Sequence, residues 1–326
     1  MVLNLLICLI GFILLYYGAE WLVEGSSSLA RSLGITPIVI GLTVVAFGTS
    51  APELVVSLVS SVKGKSMIAV GNVVGSNICN IALVLGMAAL LQPITCDRSV
   101  IRRDIPLMLI ISMYLLLLSL DSRLGRIEGV TLFAGIIGYT FFNYYLTMKP
   151  AEADTGDAVS TPEEIPDMGL TMASRKKQLI FILVGITGVV AGAQLVVDSA
   201  VKVMAILGVS EKFIGLTIVA FGTSLPELAT SVVAALRKEM DISIGNLVGS
   251  NVFNILSVLG AASIVRPISI PGGFFESGLY IDYIVMMFTS FLPWLMMRKT
   301  PTLTRGNGIT LLLCYVGYLT YLIMRA

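Results

Sequence analysis

Glu53 and Glu227 are carboxylates set in the middle of apolar runs, each one residue after a proline and inside a repeated phrase: GLTVVAFGTSAPEL at 41–54 and GLTIVAFGTSLPEL at 215–228. A charge at the centre of a spanning helix costs about 2.5 to 3.5 kcal/mol on insertion scales, so each needs compensation, and a bound cation is the simplest source. Pro52 and Pro226 have no amide hydrogen, so the carbonyls four residues earlier, at Gly48 and Gly222, lose their helical partner and are free to turn toward a ligand. Thr49, Ser50, Thr223 and Ser224 add hydroxyl oxygens on the same turn. This all-oxygen inventory, with neither His nor Cys, suits hard cations such as sodium and calcium and argues against zinc, copper or iron.

A second polar element comes after each glutamate: GNVVGSNICNI at 71–81 and GNLVGSNVFNI at 245–255. Glycine at this density either packs helices closely or lets backbone open toward a ligand. The polar content favours the second reading, because Ser76, Asn77 and Asn80, like Ser250, Asn251 and Asn254, project from about one turn at mid-span. Two carboxylates supply up to four oxygens, and Asn80, Asn254 and freed carbonyls raise the set to the 6 to 8 that calcium prefers. Smaller groups of the same oxygens hold sodium ions singly, so the two ions compete for one cluster, as exchange requires. For Asn77 and Asn251, hydrogen bonding between helices is an equal explanation.

The elements that carry these residues are membrane helices. With 326 residues, 56% of them hydrophobic and 13% charged, and a mean hydropathy of +0.93, the chain is far too apolar for a soluble domain. A bilayer core of about 30 Å needs about 20 apolar residues, and the pattern marks ten spans: 3–30, 36–61, 67–91, 104–120 and 127–147, then 178–206, 212–236, 242–265, 280–297 and 308–324. The first and sixth are long enough to tilt. Aligned without a gap, 41–94 and 215–268 agree at more than half their positions, and the same offset carries Gly11, Gly18, Ala19 and Gly34 onto Gly185, Gly192, Ala193 and Gly208, and Glu24 onto Asp198. The expected fold is therefore an all-α polytopic membrane protein of ten transmembrane helices. Two homologous halves of five spans, an odd number, must lie inverted with respect to each other, with broken helices at the ion site. The divisions are 1–148, a linker at 149–176, and 177–326.

Lys and Arg are more frequent in the loops that lie inside if the amino terminus is outside, so both termini are expected outside a plasma membrane. The first basic residue is Arg31, so a secretory leader is not indicated and the first span is expected to stay. Residues 149–176 carry Pro150, Pro162, Pro166 and six acids, and read as a flexible cytoplasmic linker without the ligand spacing of a calcium loop. Cys8, Cys79, Cys96 and Cys314 show no CxxC spacing. Glu20, Glu24 and Asp198, near the ends of long spans, are expected to reach the interface by snorkelling.

The paired motifs GTSAPE and GTSLPE, with GSNICN and GSNVFN after them, resemble those of the calcium/cation antiporter superfamily, specifically the prokaryotic sodium/calcium exchangers. Residues 41–94 and 215–268 look like its alpha repeats. The resemblance implies that Glu53 and Glu227 are shared calcium and sodium ligands. It also implies that Thr49, Ser50, Thr223, Ser224, Ser76 and Ser250, with the carbonyls of Ala46 and Ala220, complete the sodium sites, while Asn80 and Asn254 hold the remaining central positions. It further implies that the first and sixth spans slide to switch access. Some members have aspartate where this chain has Asn254, so the cluster here has two carboxylates and potassium coupling is disfavoured.

The function expected is secondary antiport of sodium and calcium within a single chain, with the ions as cargo, no cofactor, no catalysis and the lipid bilayer as surroundings. A proton/calcium antiporter is the alternative, and a calcium channel a weaker one, since channels place acids around a multi-subunit pore. No nucleotide-binding signature points to a pump, no basic patch with interleaved aromatics points to nucleic acid, and an intramembrane hydrolase lacks any nucleophile and base pair.

Overall fold

The computed structural model describes residues 1–148, 174–207 and 220–325. Within them helix predominates, because in hydrocarbon every amide must be bonded inside its own segment. Helix α1 is Val2–Leu33, and it ends where Gly34 turns left-handed (φ 69°) and donates to the carbonyls of Ala30 and Arg31. Helix α2 (Pro37–Thr49) starts with proline in its first turn and is bent by 46° against α3 (Ala51–Val62). Then come α4 (Ser66–Leu91), α5 (Ile105–Ser119) led in by a π-helical turn at Val100–Asp104, and α6 (Arg126–Met148). The second series is α7 (Arg175–Ile206), the short turn α8 (Ala220–Gly222), α9 (Leu225–Leu236), α10 (Met240–Val265), α11 (Leu279–Met297) and α12 (Arg305–Arg325). Among the described residues six helices are long and apolar enough to cross a membrane, or seven if α2 and α3 form one bent span. The predicted linker lies outside the described residues from 149 to 173, as does the predicted seventh span from 212 to 219.

Burial separates the centre from the periphery. The apolar windows of α4 and α10 are 78% and 83% buried, against 22% and 33% for α1 and α7. The two motif helices therefore form the middle of the bundle, while α1 and α7 present Leu6, Leu9, Phe12, Ile180 and Leu183 outward. At 32 residues each, about 48 Å at 1.5 Å per residue, α1 and α7 exceed the hydrocarbon thickness.

The long helices pack antiparallel. Gly11 meets Gly192 and Val196, Gly18 meets Gly188 and Val189, and Gly25 meets Gln178 and Ile182, so numbers fall along α7 as they rise along α1. The contact needs hydrogen as the side chain: a Cβ on Gly18 would lie 2.6 Å from the Val189 nitrogen, and one on Gly185 2.5 Å from the Leu22 nitrogen. Small residues of this kind let membrane helices approach backbone to backbone.

The two series are also stitched across. Strand β1 (Ile94–Thr95), after α4, pairs antiparallel with β4 (Thr302–Leu303), before α12. Strand β2 (Arg123–Leu124), before α6, pairs with β3 (Ile268–Ser269), after α10. Correspondingly, α12 packs on α4, and α6 packs on α10.

Glu20 and Glu24 do not simply snorkel. Arg237, at the turn after α9, pairs with Glu20 at 2.8 Å and reaches Glu24 at 4.0 Å, while Arg31 pairs with Glu239, which also accepts from Ser27 Oγ at 2.6 Å. One end of α1 is thereby fastened to the α9–α10 turn. Asp198, on α7, accepts from Gln194 of its own helix at 2.8 Å.

Replacing Gly18 or Gly185 by Leu should push α1 and α7 apart and destabilise the protein by about 1–3 kcal/mol, read as a lower thermal midpoint in detergent. Gly317→Leu, at a position with open space around its Cα, should leave the midpoint within a degree or two of the parent, on the order of what a neutral surface change costs.

Candidate ion-binding site

Both motif breaks occur where proline removes a helical bond. Ser50, with φ −81° and ψ 6°, separates α2 from α3, so that Pro52 falls in the first turn of α3 and Glu53 in the same turn. Ser224, with φ −88° and ψ 6°, does the same ahead of α9, where Pro226 and Glu227 occupy the first turn. The carboxylates thus sit at helix N-termini, where backbone dipoles favour negative charge.

Each carboxylate is held chiefly by the opposite motif. Ser50 Oγ donates to Glu227 Oε1 at 3.1 Å, and Ser224 Oγ donates to Glu53 Oε1 at 3.4 Å. Ser76 Oγ, from α4, reaches the same Glu53 oxygen at 3.4 Å. Both glutamates are fully buried. Among the described residues neither has a basic partner, and Glu53 Oε2 and Glu227 Oε2 have no hydrogen-bond donor at all.

The asparagines explain themselves by elimination. Asn77 Nδ2 donates to the Asn251 backbone carbonyl, and Asn251 Nδ2 to that of Asn77, both at 3.3 Å. Since a backbone carbonyl only accepts, the amide orientations are determined. The remaining Oδ1 of Asn77 then accepts from Asn254 Nδ2, and that of Asn251 from Asn80 Nδ2, both at 3.1 Å. With their nitrogens committed, Asn80 and Asn254 are left with Oδ1 atoms that are buried and unpartnered. Asn77 and Asn251 are therefore clamps between α4 and α10, the packing alternative of the sequence reading, while Asn80 and Asn254 present free oxygens.

Local backbone aims them. Asn80 lies in a π-helical stretch at Cys79–Leu85, and Asn254 opens another at Asn254–Leu259. A π-turn inserts an extra residue per turn and rotates the two flanking parts of the helix against each other, which is why such turns gather at functional sites. The Gly-rich segments do not unwind as expected: α4 and α10 stay helical throughout, and Gly249 packs against Leu42 and Ala46 of α2.

The other hydroxyls are placed by two residues that the sequence reading passed over. Thr49 Oγ1 donates to Asn246 Oδ1 at 3.0 Å and lies 3.4 Å from Ser250 Oγ. Thr223 Oγ1 donates to Asn72 Oδ1 at 3.4 Å. Asn246 Nδ2 donates to Ser231 Oγ and Asn72 Nδ2 to Ser57 Oγ, each at 2.9 Å, and Asn72 Nδ2 also donates to the Glu53 carbonyl at 3.2 Å. The signal was available: Asn72 and Asn246 open both copies of the second motif as amides inside apolar spans. The Ala46 carbonyl accepts from Ser50 N at 3.0 Å and lies 3.3 Å from Thr49 Oγ1. Ala220 opens the turn α8, while residues 215–219 of its motif lie outside the described residues.

Two buried carboxylates without a counter-charge, each with a bare oxygen, and two amide oxygens equally bare make a centre that takes positive charge from outside the chain. Set within a bundle of lipid-facing helices, it defines a multi-pass membrane protein with a candidate cation site in its interior. The chain belongs to the sodium/calcium exchanger protein family, whose pattern matches residues 3–145 and 177–324. It is 38% identical to the putative antiporter CaxA of Alkalimonas amylolytica, with 95% of each chain covered. It is 30% identical to the sodium/calcium exchanger MaX1 of Methanosarcina acetivorans, covering 98% of each. A solved structure of the sodium-calcium exchanger NCX_Mj, soaked with 2.5 mM Na+ and 0.1 mM Ca2+, superposes with a TM-score of 0.82 at 33% identity over 98% of both chains.

Asn77→Leu should orphan Asn254 Nδ2, whose acceptor is Asn77 Oδ1, at about 1–3 kcal/mol for the buried group, seen as a marked fall in thermal midpoint. A cation held by the bare oxygens should stabilise the parent by about 2.7 kcal/mol at a hundredfold excess over its dissociation constant. A calcium-induced rise in thermal midpoint that is absent from Glu53→Gln is the expected result.

Proposed function

We propose that this chain is a secondary antiporter that exchanges sodium for calcium by alternating access, normally extruding calcium at the expense of the sodium gradient. The observation that carries it is the set of four unpartnered oxygens, Glu53 Oε2, Glu227 Oε2, Asn80 Oδ1 and Asn254 Oδ1, buried with no cation of the described residues beside them. Calcium brings two positive charges to two carboxylates. Sodium ions neutralise the same charges singly, using hydroxyls of Thr49, Ser50, Ser76, Thr223, Ser224 and Ser250 and the carbonyls of Ala46 and Ala220. Competition for one cluster is what couples the two flows, with the ions as cargo.

The architecture we assign is ten spans in two inverted five-helix repeats, residues 1–148 and 177–326 around a linker at 149–176, functional as one chain with both termini outside. The antiparallel α1–α7 contact and the crossed strand pairs support the inversion. Alternating access then comes from sliding of α1 and α7, whose mutual contact is a smooth small-residue seam. The Arg237 and Arg31 pairs fasten α1 at the end that the charge distribution assigns to the cytoplasm, which supports a state closed on that side.

The test is calcium-45 uptake by proteoliposomes loaded with sodium and diluted into sodium-free medium. Uptake should require internal sodium and fall at least about a hundredfold in Glu53→Gln and in Glu227→Gln, the loss that removal of one buried charge partner of roughly 3 kcal/mol produces. Uptake driven only by a pH gradient would establish proton/calcium antiport instead, and uptake indifferent to the counter-ion would mean a channel.

A further inference from the structure

Away from the ion site, two cavities adjoin where α5 begins and α11 ends. The first, of about 450 Å3, is lined by Arg98, Arg102, Arg298 and Lys299 together with Trp294, Pro106 and their apolar neighbours. No acid lines it, and among the described residues none of the four cations has an ion pair or hydrogen bond, whereas the adjacent Arg103 is taken up by Asp104 at 2.8 Å. Arg98 and Arg102 moreover lie at the amino end of a helix, where the backbone dipole adds partial positive charge. Arg98, Arg102, Arg298 and Lys299 are exposed, so water and salt screen part of their mutual repulsion, and an anion seated among them would relieve the rest.

The second cavity, of about 610 Å3, shares Arg102 and Pro106 with the first and continues as an apolar cleft between α5 and α6. Its walls include Leu107, Ile110, Tyr114, Gly138 and Phe142, and its floor is Leu256 of α10. Ile110 and Phe142 are 65% and 40% exposed, so the cleft opens sideways to where lipid lies. A basic pocket at the interface, walled by a tryptophan of the kind found at headgroup depth, running into an apolar cleft at hydrocarbon depth, matches one molecule with an anionic head and acyl tails.

We propose that this paired cavity is a binding site for an anionic phospholipid of the leaflet facing that end, its phosphate among Arg98, Arg102, Arg298 and Lys299 and an acyl chain along the α5–α6 cleft. Basic residues in membrane loops arise from orientation alone, but orientation demands neither a cavity nor its joining to an apolar cleft. The site also breaks the repeat. Carried to the second copy, Arg98 and Arg102 become Gly272 and Glu276, so the opposite face has no equivalent and the lipid acts on one side only. In the cleft the acyl chain abuts Leu256, which belongs to the same π-helical stretch as Asn254. The bound lipid therefore braces the turn that aims one of the bare oxygens. This assignment does not depend on which ions the chain exchanges.

Trp294 is a built-in reporter, since the only other tryptophan is Trp21. In a Trp21→Phe background, reconstituted in phosphatidylcholine bilayers, acyl-brominated phosphatidylglycerol should quench Trp294 with an apparent association at least about fivefold above that of brominated phosphatidylcholine, given roughly a fivefold gain per basic residue. Arg102→Gln with Arg298→Gln should bring the ratio close to one, whereas Arg175→Gln with Lys176→Gln should leave it unchanged. Gly138→Leu, where no atom lies within 4 Å of the added Cβ, should fill the cleft and weaken quenching without unfolding. Should the double arginine variant fail to fold, Lys299→Gln and Gly138→Leu decide on their own. Equal association of the two lipids, equal loss in the Arg175 and Lys176 control, or full displacement by millimolar inorganic phosphate would overturn the proposal, the last by reducing the site to one for a free anion.

Discussion

Two carboxylates, Glu53 and Glu227, are buried at the centre of an apolar bundle with no basic side chain of the described residues to answer them. Much else in the molecule accommodates that condition. Proline breaks place both groups at helix starts, and serines from the opposing motif donate to them. The charge is softened but not cancelled, since hydroxyl dipoles at 3.1 and 3.4 Å do not replace a unit charge in a low-dielectric interior. A site left short of positive charge in this way is suited to cations, and the exchange proposed for this chain rests on that shortage.

The polar network outside the carboxylates is arranged to keep oxygens bare. Asn77 and Asn251 are spent on each other's backbone and on Asn254 and Asn80, so the amide nitrogens of these four residues are used while two of their oxygens are not. Asn246 and Asn72 do the complementary work, tying Thr49 and Thr223 across to the partner motif. Buried polar groups that remain unsatisfied cost stability, and their symmetrical retention on Glu53, Glu227, Asn80 and Asn254 is what the proposed ion site would account for.

Burial and exposure are divided between different helices. The motif helices α4 and α10 are buried and clamped by amides. The α1–α7 pair meets through glycine and sits outside. Its firm connections are ion pairs at one end, with Arg237 and Arg31 between partly exposed partners. Such pairs contribute about 1 kcal/mol or less apiece, so the sliding proposed for α1 and α7 would have little to break there.

The helical segments of the described residues, the duplication, the two acids and the hydroxyls beside them were legible in the sequence, because hydropathy, proline and repeated spacing are local properties of the chain. Membrane insertion enforces that legibility, since hydrocarbon tolerates little backbone outside helices. The expectation that Glu20 and Glu24 snorkel did not include their partner, Arg237, which is more than two hundred residues away in sequence and adjacent only after packing. The glycine-rich motif, expected from its polar content to open toward a ligand, instead stays helical, because close contact of α10 with α2 uses its glycines for packing. For Asn77 and Asn251 the sequence left ligand and clamp equally open, since an amide serves either purpose, and only the reciprocal backbone bonds between α4 and α10 decide for the clamp. Sequence thus determined which oxygens are available at the centre of this protein. Tertiary structure decided which of them are left free, because a hydrogen bond between distant segments is a property of neither segment alone.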